Sequence, residues 1–179
     1  MKFSNIPQLI PDGGYEVNMP LDSLDEKLNK WETNPNFLLN LNPDFQRGHV
    51  WNDKQRRAYV EYFLQGGRSG MVVYFNKPSW ANSASTSYDD FVIVDGLQRL
   101  TALRLFMTNK LRVYGCLYRE FDQTIEQCRN ADSLRFNINS LQTRAQVLNW
   151  YYQMNSGGTP HSAKELARVK ALLDAETTR

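Results

Sequence analysis

The stretch "VIVDGLQRLTALRLFM", Val92 to Met107, constrains this chain more than any other. Its β-branched opening reads as a buried strand that ends at Asp95-Gly96. Apolar residues at helical spacing follow at once: Leu97, Leu100, Leu103 and Met107. A strand that becomes a helix across so short a corner calls for a sheet with that helix packed upon it. The corner also places Arg99 in or near the first helical turn. There the unpaired N–H groups and the helix dipole disfavour a cation by roughly 0.3–1 kcal/mol. Asp95 is expected to cap the helix by accepting from those N–H groups, with Gly96 permitting a close backbone approach. Two explanations of Arg99 stand open. An anion such as a phosphate lies between it and the helix start, or it pairs with a carboxylate such as Asp44, Asp89 or Asp90 and binds nothing.

The rest of the pattern supplies partners for this unit. In "LDSLDEKLNKW", Leu21, Leu24, Leu28 and Trp31 mark one helical face, which Pro35 stops, and a short apolar run, Phe37 to Leu41, follows. Asn52, with Gln55 three residues on, opens a second helix whose buried side is Tyr59, Val60, Phe63 and Leu64 and which Gly66 and Gly67 end. "MVVYFN" and "FVIVD" read as paired strands of a hairpin, and the polar stretch between Lys77 and Asp90 reads as a mobile loop. "LRVYGCLY" is expected to be a third strand and "LRFNIN" a fainter fourth. Two further helices are broken at Asn155-Ser156-Gly157-Gly158, the second opening with Ser162 as cap and Glu165 three positions later. The sum is one α+β domain over residues 1–179 with a small mixed sheet and several helices.

Composition settles little by itself. With 179 residues, 41% of them hydrophobic, a folded core is expected, and a formal charge of +2 neither demands nor forbids a nucleic-acid partner. Any such partner must be argued from local patches. Cys116 and Cys128 lack the spacing of a zinc site, and no apolar run suits a signal peptide or a membrane span. The expected location is the cytoplasm of a bacterium or of a phage-infected host cell.

Several side chains invite a functional reading beside a bland one. Lys54, Arg56 and Arg57, with Arg47 and Arg68 nearby, form the best basic patch: a phosphate-backbone contact, or a solvated helix face. Trp80, alone in a polar loop, has no evident packing duty and is expected to close over a ligand or enter DNA. Asp44, Asp53 and Glu61 lie near enough in sequence to hold magnesium, although their spacing fixes nothing. His49 and His161 alone do not assemble a His-Asn-His nuclease centre.

Taken together, "FQRGHVWNDKQRRAYVEYFL", "VIVDGLQRLTALRLF" and "YYQMNSGGTPHSAKELA" resemble, in order and spacing, the N-terminal domain of GmrSD-type restriction endonucleases. That family is similar in fold to the ParB and sulfiredoxin nucleotide-binding proteins. The resemblance spans about residues 41–168. It implies a nucleotide pocket in which Asp95, Gly96, Gln98 and Arg99 match the family's Asp-Gly-Gln-Gln-Arg motif for phosphate binding and hydrolysis. Gln46, Arg47 and Trp51 match a Gln-Arg motif near the surface that senses DNA, and Asn155, Gly157 and Gly158 match a third motif facing the pocket. Leu97 stands where the family has its first glutamine, which puts in doubt any step needing that amide, such as orienting a water. Restriction relatives carry a further nuclease domain, whereas this chain ends at Arg179 and is expected to act as a stand-alone form.

The resemblance therefore implies a nucleoside triphosphate with Mg²⁺ as cofactors, and phosphoryl chemistry as the reaction class. The reaction is hydrolysis of the nucleotide or its transfer to an acceptor, as in a DNA-directed kinase, with Asp95, Gln98, Arg99 and Arg47 as catalytic residues. Nucleotide contacts fall to Gly96, Arg99, Gln46, Asn155, Gly157 and Gly158. DNA contacts fall to Arg47, Trp51, Lys54, Arg56, Arg57 and Trp80. No membrane partner is expected, and self-association is left open. The competing reading is a non-catalytic module that recognises DNA or blocks a restriction partner.

Overall fold

Alternation along the strands sets the layers. In β2 (Val72–Asn76) and β3 (Val92–Asp95), Val73, Phe75 and Ile93 pack into one core, whereas Tyr74, Val92 and Val94 face a second. Successive side chains of a strand point to opposite faces, so a sheet with two apolar faces must be covered twice. The computed structural model describes residues 2–6, 14–80, 88–122, 133–156 and 163–177, and in these residues both covers are present. Helices α1 (Leu24–Thr33), α2 (Asp53–Leu64) and α3 (Leu97–Met107) bury Leu24, Leu28, Trp31, Val60, Phe63, Leu100, Leu103 and Phe106 on one side. On the other, α4 (Arg144–Ser156) and α5 (Ala163–Thr177) contribute Val147, Leu148, Trp150, Tyr151 and Val169.

The sheet is mixed, as expected, with four strands in the order β1-β4-β2-β3. Here β1 is Tyr15–Pro20 and β4 is Ser133–Asn139. β4 runs antiparallel to β1 and parallel to β2, and β2 and β3 form the expected antiparallel pair. Helix α1 ends at Thr33 before Pro35, and Asn52 and Gln55 form a complete capping box at α2, each side chain accepting from the other's backbone N–H at 3.0 Å.

Two expectations are corrected, and the fainter strand is borne out as a full one. "LRVYGCLY" is a tight reversal in which Tyr114 (φ 50°) and Gly115 (φ 82°) adopt left-handed backbone and Val113 bridges Cys116, so the chain turns back instead of extending. "LRFNIN" is interior to the sheet, not marginal: Leu134, Phe136 and Ile138 are buried, and it pairs on both sides. Trp80 is no free probe. Its ring packs 5.6 Å from Phe91, 5.7 Å from Trp31 and 6.0 Å from Tyr15 and Phe37, where it covers the edge of the core. Strand β1 has mostly exposed positions and no clear alternation of residue types, which is why the sequence does not announce it. Cys128 and Ser162 lie outside the described residues.

Candidate functional site

The corner between β3 and α3 is built on a close approach. Gly96 has φ 101°, and a Cβ there would lie 3.1 Å from both methyl carbons of Val73 and 3.2 Å from its Cα. Only glycine fits such a position without strain. Gly96, not Asp95, is the N-cap of α3, and no side chain caps this end. The expected Asp95 cap is thus overturned: with Asp95 still on the strand, its carboxylate is directed to Arg99 and not to the N–H groups of the helix.

Arg99 has a carboxylate partner, and it is Asp95 itself, at the end of β3. The guanidinium also donates to the carbonyls of Gly70 at 2.8 Å and Val72 at 3.0 Å. Its side chain is 18% exposed. The alternative partners are occupied elsewhere, Asp44 by Arg144 and Asp89 by Lys77. Tyr59 donates to the same Gly70 carbonyl at 3.1 Å, and burial pushes its phenol up to about 12 against the opposing pull of Arg99. Gly70 itself (φ 74°) lies against the arginine, a contact that sequence reasoning missed.

Gln98 is 9% exposed and spent on backbone. Its amide NH₂ donates to the Gly48 carbonyl, and its oxygen accepts from the N–H groups of Val50 and Trp51, both at 3.1 Å. Gln46 acts similarly, donating to the carbonyls of Ile93 at 3.3 Å and Val94 at 2.9 Å. These two amides pin the 46–51 loop against β3 and the start of α3. The result is a cavity of about 100 Å³ lined by Gln46, Arg47, Trp51, Asp95, Gly96, Leu97, Gln98, Arg99, Tyr151 and Asn155. Residues from all three sequence motifs therefore meet in one place. Tyr151 packs against Phe45 at 5.1 Å and lines the cavity as well. Asn155 donates to the Tyr151 carbonyl at 2.7 Å. Gly157 and Gly158 lie outside the described residues.

Arg47 differs from its neighbours. Among the described residues it makes no ion pair and no hydrogen bond, so the cavity's charges are the closed pair Asp95–Arg99 and one uncommitted guanidinium. The second carboxylate oxygen of Asp95 likewise accepts no hydrogen bond among the described residues. Larger depressions exist. One of about 700 Å³ lies between α1 and α3 around Arg104, His49 and Asn42, and one of about 530 Å³ lies near Lys77 and Asp89. Neither contains the residues of the β3–α3 corner.

The other expected contacts disperse. Lys54 and Arg57 are exposed on α2, but Arg57 donates to the Arg112 carbonyl, and Arg56 is half-buried against Asp53 at 2.8 Å. Trp51 packs against Tyr59, with ring centres 5.6 Å apart and the planes tilted by 56°. Asp44, Asp53 and Glu61 do not converge: they serve Arg144, Arg56 and the Tyr114 N–H respectively. Among the described residues no group of three or more His, Cys, Asp or Glu is placed to hold a metal ion. No described helix is long and apolar enough to cross a membrane.

No curated protein and no solved structure matches the chain. Over residues 26–172 the sequence matches the family described as GmrSD restriction endonuclease, N-terminal domain, and this range contains every residue that lines the β3–α3 cavity. The chain belongs to the family of GmrSD restriction endonuclease N-terminal domains.

Proposed function

We propose that the β3–α3 cavity receives the phosphate end of a nucleoside triphosphate and that the domain couples this binding to DNA, in a restriction or anti-restriction setting. The observation that carries the reading is the convergence of the three motifs on one polar cavity whose single uncommitted charge among the described residues is Arg47. The first N–H groups of α3, left without a side-chain cap, open at the same corner. An uncapped helix start and a free guanidinium together favour an anion. Arg99, first suggested as the direct phosphate ligand, takes another part in this arrangement. It neutralises Asp95, which would otherwise repel phosphate, and leaves the net charge of the cavity positive.

The volume fits a phosphate group, not a whole nucleotide, since sites for drug-sized ligands measure roughly 300–1,000 Å³. The nucleoside would therefore lie outside this cavity. Magnesium, when bound with the nucleotide, would neutralise phosphate charge, and the unbonded oxygen of Asp95 is the donor here that suits it, because Mg²⁺ commonly takes one or two protein carboxylates alongside phosphate oxygens. Kinship with the ParB and sulfiredoxin fold belongs to the same proposal. Lys54 and Arg57 are the exposed cations that would touch a DNA backbone.

A second reading has an observation in its favour. Both lone pairs of the Gln98 amide oxygen are taken by backbone N–H groups, leaving none to accept from a water, and Leu97, the residue in place of the family's first glutamine, is buried. Both favour binding without turnover. Titrating the protein with each NTP and Mg²⁺, with and without plain or base-modified DNA, and following released phosphate and label transferred to DNA, separates the readings. Arg47→Ala should weaken nucleotide binding tenfold or more, since a charge-assisted contact contributes about 1.5–3 kcal/mol. Nucleotide binding that ignores this substitution would refute the site. Phosphate release or labelled DNA would reject the binding-only reading, and tight binding with neither would reject the enzyme.

A further inference from the structure

Arg168 lies on α5, far in sequence from the Gln-Arg motif, yet its guanidinium donates to three successive carbonyls of that motif's approach. The acceptors are Asp44, Phe45 at 3.1 Å and Gln46 at 3.1 Å. Residues 44–46 belong to no helix or strand, and among the described residues these three carbonyls have no other donor. Arg144 of α4 adds a tie to the Asp44 carboxylate at 2.8 Å and to Glu176 of α5 at 3.1 Å. From the opposite side Gln46 fastens the same segment to β3.

Arg47 is the next residue, and among the described residues it has no partner of its own. A guanidinium on a long flexible stem with no such partner at its tip takes its aim from its backbone. Backbone that lacks ladder hydrogen bonds must take its geometry from side chains. Three acceptors divided between the two terminal nitrogens suit the planar guanidinium fork, which a lysine ammonium, a single point of charge, cannot reproduce.

We infer that Arg168 is a positioning residue for the cavity: by fixing the 44–46 backbone it aims Arg47 at the ligand, so that docking of α5 and phosphate binding are coupled. This rests on the cavity being the phosphate site, and the test separates the two claims. Inorganic triphosphate with Mg²⁺ serves as the probe, titrated into the full chain and into Arg168→Ala, Arg168→Lys, Arg168→Gln, Arg47→Ala and the Arg47→Ala/Arg168→Ala double variant. Arg168→Ala should weaken binding about tenfold in the native background and not at all once Arg47 is gone, with Arg168→Lys restoring only part. An equal loss in both backgrounds would overturn the inference, because Arg168 would then act without Arg47. Should the native protein bind no triphosphate, the phosphate reading fails, and the positional claim is decided by hydrogen exchange without ligand. Arg168→Ala, or Arg168→Gln if the alanine variant does not fold, should speed exchange at Gln46, Val50 and Trp51 while α1 and α2 keep their protection. Unchanged exchange at those amides would overturn it.

Discussion

The two ends of α3 hold arginines by contrasting means. At the C-terminal end Arg104 sits in the last turn, where the helix dipole welcomes a cation. It donates to Asp25 at 2.6 Å, Asn29 at 2.6 Å and Glu32 at 2.9 Å, all on α1. Burial alone would lower its pKa, but its hydrogen bonds to the Asp25 and Glu32 carboxylates, with their charges, outweigh it and the pKa is raised. At the N-terminal end the dipole opposes Arg99, and the acceptors are a strand carboxylate and two carbonyls. One end is a redundant staple between helices. The other is a tight corner where a strand carboxylate and two carbonyls, one of them shared with Tyr59, take the guanidinium, and where the charge left over among the described residues belongs to Arg47. A helix thus anchors at the end its dipole favours and keeps its unsatisfied N–H groups at the end a ligand can use.

The largest expected effect falls on the N-terminal corner. Gly96→Ala forces an L-residue into left-handed backbone and drives a methyl into Val73, so a loss of about 2–4 kcal/mol is expected from strain plus overpacking. The midpoint of urea unfolding measures it. A loss under about 0.5 kcal/mol, within the range of an ordinary surface substitution, would mean that the corner is looser than this geometry.

Next comes the direct contrast of the arginines. Arg99→Ala leaves the Val72 carbonyl and the half-exposed Asp95 without this donor and should cost about 2–3 kcal/mol. Arg104→Ala, whose acids are about a third exposed and reach water, should cost about 1 kcal/mol. Equal losses on chemical denaturation would erase the distinction between corner and staple.

How far the sequence told this story depends on the kind of signal. Helix faces and the β2–β3 pair follow from local periodicity, and the capping box at Asn52 and Gln55 from local chemistry, so both were legible. The meeting of Gln46, Arg47, Asp95 and Asn155 was legible only through a family resemblance, because no spacing rule joins residues so far apart. The partners of Arg99 were not legible. Asp95 was the obvious cap, and only the left-handed Gly96 shows why the carboxylate turns away from the helix start. Trp80 misled for a related reason: its neighbours Tyr15, Trp31, Phe37 and Phe91 come from four separate segments. Arg168 gave no signal at all, since arginine on an exposed helical position is ordinary.

A smaller effect probes the wall behind Arg99. Tyr59→Phe deletes the hydroxyl that shares the Gly70 carbonyl with Arg99, and it should cost about 1 kcal/mol near neutral pH. The pH dependence has a definite sign. The phenol titrates at 10.0 when unperturbed and at about 12 when folded, so the folded state prefers it protonated. Its contribution is complete below pH 10 and is lost as pH rises towards 12. Unfolding midpoints recorded across that window should fall more steeply for the native chain than for Tyr59→Phe. Parallel curves would place the hydroxyl in water.

The smallest effect belongs to the staple. Glu32→Gln removes one of the two carboxylates on Arg104 but leaves Asp25 and Asn29 in place, so about 0.5 kcal/mol or less is expected, as for other partly exposed pairs. Redundancy predicts more than smallness. With Asp25→Asn added, the guanidinium loses its last carboxylate while remaining partly buried between α1 and α3. The double variant should then lose more than the sum of the single ones, as groups that share one partner commonly do. Simple additivity would show that Arg104 treats its acids as separate surface pairs. The C-terminal end of α3 would then be held by Leu103 and Phe106 in the core, with the charges as bystanders.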